Sequence, residues 1–264
     1  MSDSAIEHSP SLLASTDGAV RVLALNRPDR RNPIDMGTAQ ALETALRSAS
    51  DDPCIGAIVL TGIGEVFSSG ADLREIRAIA EGQDEEEALR ALRVYHRLLL
   101  ELWNLPLPVV AAVSGLAYGG AFSLVLACDL VVATASARLC PVFLRRGIVP
   151  DVGAAWLLPR LVGLQRAKQM LLRAEEIDAE AAAGLGIVTV VTPGPAETLA
   201  AAITLAQRLA AGPRLATALT KRLTNQAAGL DLAQALELEA LAQAQTLGSR
   251  DVRRMLEELM ARTG

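Results

Sequence analysis

The chain has 264 residues, 51% hydrophobic and 21% charged, with a formal net charge of −5. That is enough material for one large α/β domain or a domain with an appendage, and the acidic balance excludes a general nucleic-acid footprint. The three cysteines, Cys54, Cys128 and Cys140, are odd in number, widely spaced and set in apolar contexts. They read as reduced core residues of a cytoplasmic protein, and with His8 and His96 far apart and no CxxC there is no metal-ligand spacing.

Residues 1–10 read as a loose tail without the pattern of a signal peptide. Leu12–Ala14 and Val20–Leu25 flank Asp17-Gly18, a hairpin turn signal. The loop Asn26–Pro33, NRPDRRNP, is crowded with arginine. Over Thr38–Ser50 the residues Ala39, Leu42, Ala45, Leu46 and Ala49 recur at helical spacing. Ile55–Thr61, IGAIVLT, is an apolar run that suits a strand covered on both faces. Gly62–Leu73, GIGEVFSSGADL, is a glycine-rich exit from that strand. It is no dinucleotide fingerprint, because Phe67 stands where the third glycine would fall.

A helix is expected over Arg74–Glu81. A second opens at the acidic run Asp84–Glu87, where negative charge favours a helix N-terminus, and carries Leu89, Leu92, Leu99 and Leu102. His96 lies on it among arginine and leucine and reads as a half-exposed packing residue. Leu105–Cys128 is uncharged and long enough to span a bilayer, but its prolines, glycines and β-branched residues point to a buried strand, turn and helix.

Within that run, Ser114–Asp129 reads SGLAYGGAFSLVLACD. Glycines at a strand-to-helix turn let backbone approach a ligand, and the first N–H groups of the helix lack partners within it. The stretch is either a backbone cradle for an oxyanion or phosphate, or a buried turn with glycines for close packing. Strands over Leu130–Ala133, Arg138–Phe143 and Ile187–Val191 follow, with short helices over Ala154–Leu161, Gln165–Leu172 and Asp178–Gly184 between them. From Pro195 four Ala- and Leu-rich helical stretches run to the end, broken near Gly212-Pro213, Gly229 and Gly248.

Three stretches taken together are specific: LNRPDRRNP at 25–33, IVLTGIGEVFSSGADL at 58–73, and Ser114–Asp129 followed by GIVPDVGAAWLLPRLVG at 147–163. In order and spacing they resemble the enoyl-CoA hydratase/isomerase, or crotonase, superfamily, from about Val20 to the last helix. The resemblance implies a crotonase-like α/β spiral of ββα units over residues 1–195. A C-terminal helical trimerisation region over 196–264 would follow, in homotrimers or homohexamers. It also implies an acyl-CoA thioester as substrate, with CoA part of that substrate and no separate cofactor; the acidic balance and the residues of Leu105–Cys128 leave neither nucleic acid nor membrane insertion as partner.

By motif position, the backbone N–H groups of Ala71 and Gly120 would hold the thioester oxygen. CoA would lie along Ser69, Asp72, Leu73 and Arg74, and Arg30 and Arg31 would meet its phosphates or remain solvated loop charges. Tyr118, Phe143 and Leu144 would line the acyl pocket.

Family hydratases carry two glutamates, at the positions held here by Ser123 and Phe143. Both are missing, which argues against ordinary hydration. Asp151, in GIVPDVG, matches an aspartate that moves protons in isomerases of the superfamily, and its apolar neighbours would raise a carboxylate's pKa. Asp is also a favoured N-cap, so Asp151 could instead cap the helix starting at Val152 or Gly153. The expectation is a double-bond isomerase, the alternatives being a weak enoyl-CoA hydratase and a non-catalytic acyl-CoA binder.

Overall fold

The computed structural model describes residues 10–82 and 84–263, so the expected tail lies outside the described residues except for Pro10. In chain order the strands are β1 (Leu12–Asp17), β2 (Val20–Leu25), β3 (Ala57–Gly62), β4 (Val109–Val113), β5 (Leu116–Tyr118), β6 (Leu130–Thr134), β7 (Arg138–Cys140), β8 (Ile177–Asp178) and β9 (Val190–Thr192). The helices of the first two hundred residues are α1 (Met36–Asp51), α2 (Leu73–Gly82), α3 (Glu85–Asn104), α4 (Gly120–Ala127), α5 (Ala154–Val162), α6 (Leu164–Arg173) and α7 (Ala179–Gly184). Four more close the chain: α8 (Pro195–Ala210), α9 (Arg214–Ala227), α10 (Leu232–Leu247) and α11 (Arg250–Thr263).

A six-stranded sheet runs β1-β2-β3-β4-β6-β9. The β1–β2 hairpin is antiparallel and every later pairing in that sheet is parallel. Its inner strands are apolar on both faces, as the run at Ile55–Thr61 implies. On one face Leu23, Ile58, Leu60, Val109 and Ala111 join Leu42 and Leu46 of α1 and Leu98 and Leu102 of α3. On the other, Val20, Val22, Val59, Val110 and Val132 pack against Ala202 and Ala206 of α8. Small side chains let α8 approach the sheet closely. The helical region expected from residue 196 therefore divides, with α8 completing the core sandwich.

Helix α9 is tied to the core by Lys221, whose Nζ donates to Asp129 Oδ2 at 2.7 Å and to the Leu107 carbonyl at 3.1 Å. The uncharged stretch Leu105–Cys128 folds as β4, β5 and α4 rather than one span. Among the described residues no helix is long and apolar enough to cross a membrane.

Some local expectations shift. The buried face of α3 is Ala91, Val94, Leu98 and Leu102, while Leu89 is exposed. The segment expected as strand to Phe143 stops at Cys140 and becomes a 3₁₀ helix over Val142–Arg146. Cys54, expected in the core, is exposed in the turn before β3, where its N–H donates to Asp52 Oδ1 at 2.9 Å.

A smaller sheet, β5-β7-β8, lies beyond the end of β4. Isolated bridges Ser68–Ala117 and Ile34–Ala71 stitch the loop after β3 to β5 and to the loop before α1. These bridges bring the two glycine-rich strand exits together.

Candidate active site

The loop leaving β3 is anchored residue by residue. Phe67 is fully buried, and its N–H donates to the Ser114 carbonyl at 2.6 Å. Ser68 Oγ donates to the Asn32 carbonyl at 2.6 Å and accepts from Gly70 N at 3.1 Å. Around Ala71 the bonding is that of a parallel bridge: Ile34 N donates to Gly70 O at 2.9 Å, and Asp72 N donates to Ile34 O at 3.1 Å. That alternation turns the N–H of Ala71 itself away from residue 34. No hydrogen-bond acceptor for it is found among the described residues.

The second exit is the start of α4. Gly119, at φ +55°, donates its N–H to Cys140 O at 2.9 Å, and the first intrahelical bond runs from Ser123 N to Gly119 O. Gly120 is the first helical residue, so its N–H is one of the orphan donors of a helix start. The two exits touch at Gly70. A side chain there would collide with the Tyr118 carbonyl and come within 3.4 Å of Gly120 N, and φ is +87°, so both space and conformation call for glycine. Ala71 and Gly120 line one cavity of about 410 Å³.

Asp151 lines the same cavity. It stands before Val152, at φ +49°, and Gly153, at φ +77°. A β-branched residue with positive φ costs ~1–3 kcal/mol and persists only where its surroundings enforce it. Here Val152 is buried in the core, Ser123 Oγ donates to the Asp151 carbonyl at 3.0 Å, and Leu99 of α3 packs where a Gly153 side chain would stand. The cap of α5 is Gly153, with no side-chain cap bond, so the Asp151 carboxylate does not cap that helix. Instead Asp151 Oδ1 lies 2.7 Å from His96 Nε2. His96, expected as a packing residue, is thus the partner of the candidate base.

The rest of the cavity wall is mainly apolar, from Ile76 and Ile79 of α2, Leu92 and Leu98 of α3, Leu124 and Phe143. Two further polar residues, Glu75 and Tyr95, are in the wall, and sequence reasoning missed both. Glu75 accepts from Met36 N at 3.0 and 3.1 Å through its two oxygens, and from the Tyr95 hydroxyl at 2.6 Å. Burial, then the bond to Glu75, pushes the Tyr95 phenol well above its ordinary pKa. Their only advance signal was position, since both fall on the helices that flank the glycine-rich loop.

Of the other nominated residues, Ser123 is wholly buried and holds the Asp151 backbone rather than facing the cavity. Phe143 is in the cavity wall. Leu144 is not: it is 40% exposed, because successive residues of a 3₁₀ turn point about 120° apart and Phe143 takes the inward direction.

A second cleft, of about 430 Å³, shares Ala71 with the first and is lined by Arg30, Arg31, Ser69, Asp72, Leu73, Arg74, Tyr118 and Arg146, among others. Tyr118 therefore lies beside the neighbouring cleft rather than in the cavity. Asp72 is buried and already engaged, accepting from Arg30 at 2.8 Å and from the Arg74 N–H at 3.0 Å. The Tyr118 hydroxyl donates to Glu176, and burial followed by that bond pushes its pKa up to about 12. Arg146, unassigned in the sequence, is half-buried, and burial lowers its pKa, so an anion in the cleft would relieve its desolvation.

Residues 15–261 match the family model described as enoyl-CoA hydratase/isomerase. A 1,2-epoxyphenylacetyl-CoA isomerase of Escherichia coli is 33% identical over 252 residues, covering 95% of each chain. A short-chain-enoyl-CoA hydratase of Clostridium acetobutylicum is 30% identical over 242 residues, covering 91% of each. The crystal structure of an enoyl-CoA hydratase from Polaromonas sp. JS666 matches with a TM-score of 0.91 at 29% identity, over 95% of this chain and 97% of that one. Hydratase names predominate among the relatives. Sequence and fold thus agree over nearly the whole length, and the chain belongs to the enoyl-CoA hydratase/isomerase family.

Proposed function

We propose that this family member shifts a double bond within an acyl-CoA thioester. The thioester oxygen sits against the N–H groups of Ala71 and Gly120, where each donor lowers the barrier to an enolate by ~3–4 kcal/mol. Asp151 removes a proton from one carbon and returns it two carbons away. CoA follows the second cleft past Ser69, Leu73 and Arg74, with Arg30, Arg31 and Arg146 as the cations near its phosphates.

The observation that carries this reading is the make-up of the cavity wall. By motif position Phe143 takes the place of a second hydration acid, and its ring is in the cavity wall; Ser123, at the place of the other, is turned onto backbone. Glu75 is held by Met36 N and Tyr95. That leaves Asp151 as the carboxylate poised on a mainly apolar space, and a double-bond shift needs one base and no water. The experiment is a panel of enoyl-CoA esters followed by mass spectrometry and NMR: isomerised product supports the reading, and hydrated product alone refutes it.

A weak hydratase is the second reading, favoured by the names of the relatives. It predicts loss of the enoyl-thioester absorbance of crotonyl-CoA with uptake of water. The last three helices would form the trimer contact. Among them α10 exposes Leu232, Leu236, Leu241 and Leu247, apolar side chains that a partner subunit would take out of water.

A further inference from the structure

We infer that His96 is a positioning residue that connects Asp151 to solvent. The proton taken from substrate then exchanges with water before it returns. This rests on the isomerase reading of the same site. Asp151 lines the cavity, whereas His96 does not and sits behind it. The two side chains are 29% and 47% exposed, so the imidazole bridges from the half-buried carboxylate to bulk water. The 2.7 Å separation is that of a strong, charge-assisted hydrogen bond. The turn that sets it is held from three sides, by the Ser123 bond, by buried Val152 and by Leu99 against Gly153.

The step balances without a co-reactant. The Asp151 carboxylate takes the proton as the C–H electron pair moves toward the thioester oxygen. At rest the imidazole donates its Nε2–H to the carboxylate. Once Asp151 is protonated, water moves the imidazole proton to Nδ1, the carboxylic acid passes its proton to the freed Nε2, and the imidazolium releases a proton from Nδ1 to water, which restores the Nε2–H form. The reverse sequence delivers a solvent proton to the other carbon. A carboxylate sealed in an apolar pocket would instead return the same proton it removed. The exposed imidazole makes the transfer open.

The test is deuterium incorporated per turnover when isomerisation runs in heavy water, for the wild type and for His96→Gln. Glutamine keeps a hydrogen-bonding side chain but cannot carry a proton. The wild type is expected to place solvent deuterium in most product molecules. In His96→Gln the deuterium per turnover is expected to fall by roughly tenfold, whatever happens to the rate, and added imidazole to restore it. Equal incorporation in the two proteins overturns the relay, as does wild-type product with little deuterium. If the wild type isomerises nothing, the isomerase reading fails, and washout of the α-proton of a saturated acyl-CoA then decides the relay. Washout slowed in His96→Gln and rescued by imidazole supports it; equal or absent washout overturns it.

Discussion

The Asp151 carboxylate and the His96 imidazole meet at 2.7 Å although 55 residues separate them in the chain. Asp151 comes from a strained turn ahead of α5 and His96 from the middle of α3, and Leu99 packed on Gly153 brings the two together. Asp151→Asn keeps the shape and the bond to His96 but removes the base. It is expected to lower turnover and α-proton exchange by ~10²–10⁴-fold while acyl-CoA binding by calorimetry stays within a few-fold. Unchanged exchange would exclude Asp151 as the base.

Gly70 holds the two strand exits together, so it is a sensitive point for both stability and activity. Gly70→Ala places a methyl against the Tyr118 carbonyl at a φ of +87°. The expected cost is ~1–3 kcal/mol of stability, read by denaturant unfolding. A larger relative loss of turnover should accompany it, because Ala71 and Gly120 move apart. Full activity in a well-folded variant would show that their spacing is not critical.

Lys221 joins α9 to Asp129, whose carboxylate also accepts from Val109 N at 2.7 Å. Burial raises the Asp129 pKa, opposed by Lys221. Lys221→Met leaves the carboxylate without its cation. Because the Asp129 side chain remains 24% exposed, the expected loss is about 2–3 kcal/mol, below the ~3–5 of a wholly buried pair. The variant's Asp129 pKa rises further. Between the ordinary value near 3.9 and that raised value, the native state holds a proton the unfolded chain has lost, so stability falls as pH rises through the window. The variant's deficit should be largest at neutral pH and shrink on acidification, as measured by unfolding at a series of pH values.

Leu236→Glu with Leu241→Glu puts charge on exposed apolar positions of α10. Light scattering is expected to show the wild type as a trimer or hexamer and the double variant as smaller species, with each protomer still folded. A wild type that runs as a monomer would remove the proposed contact.

Much of the fold was legible because it is written in local periodicity. The helical spacing of Ala39, Leu42, Leu46 and Ala49 and the β-branched run before Gly62 mark real elements, and the breaks at Gly212, Gly229 and Gly248 mark real element boundaries. The glycine-rich exits also declared themselves, since Gly70 and Gly119 both stand at positive φ and Gly70 also where the Tyr118 backbone approaches closely. Leu144 and Cys54 were misplaced because one residue's direction in a tight turn depends on what packs beside it.

Most of the order of elements, though not the short strands β5 and β8, the family, and the nomination of Ala71, Gly120 and Asp151 thus followed from the amino-acid sequence alone. Short-range pattern and motif spacing are properties of contiguous residues. Only the tertiary structure decided that Asp151 meets His96 rather than capping α5, that Glu75 and Tyr95 close the cavity wall, and that α8 completes the sheet's second face. Those are contacts between distant segments, chosen by which surfaces can be buried together, and no periodicity within either segment encodes its partner.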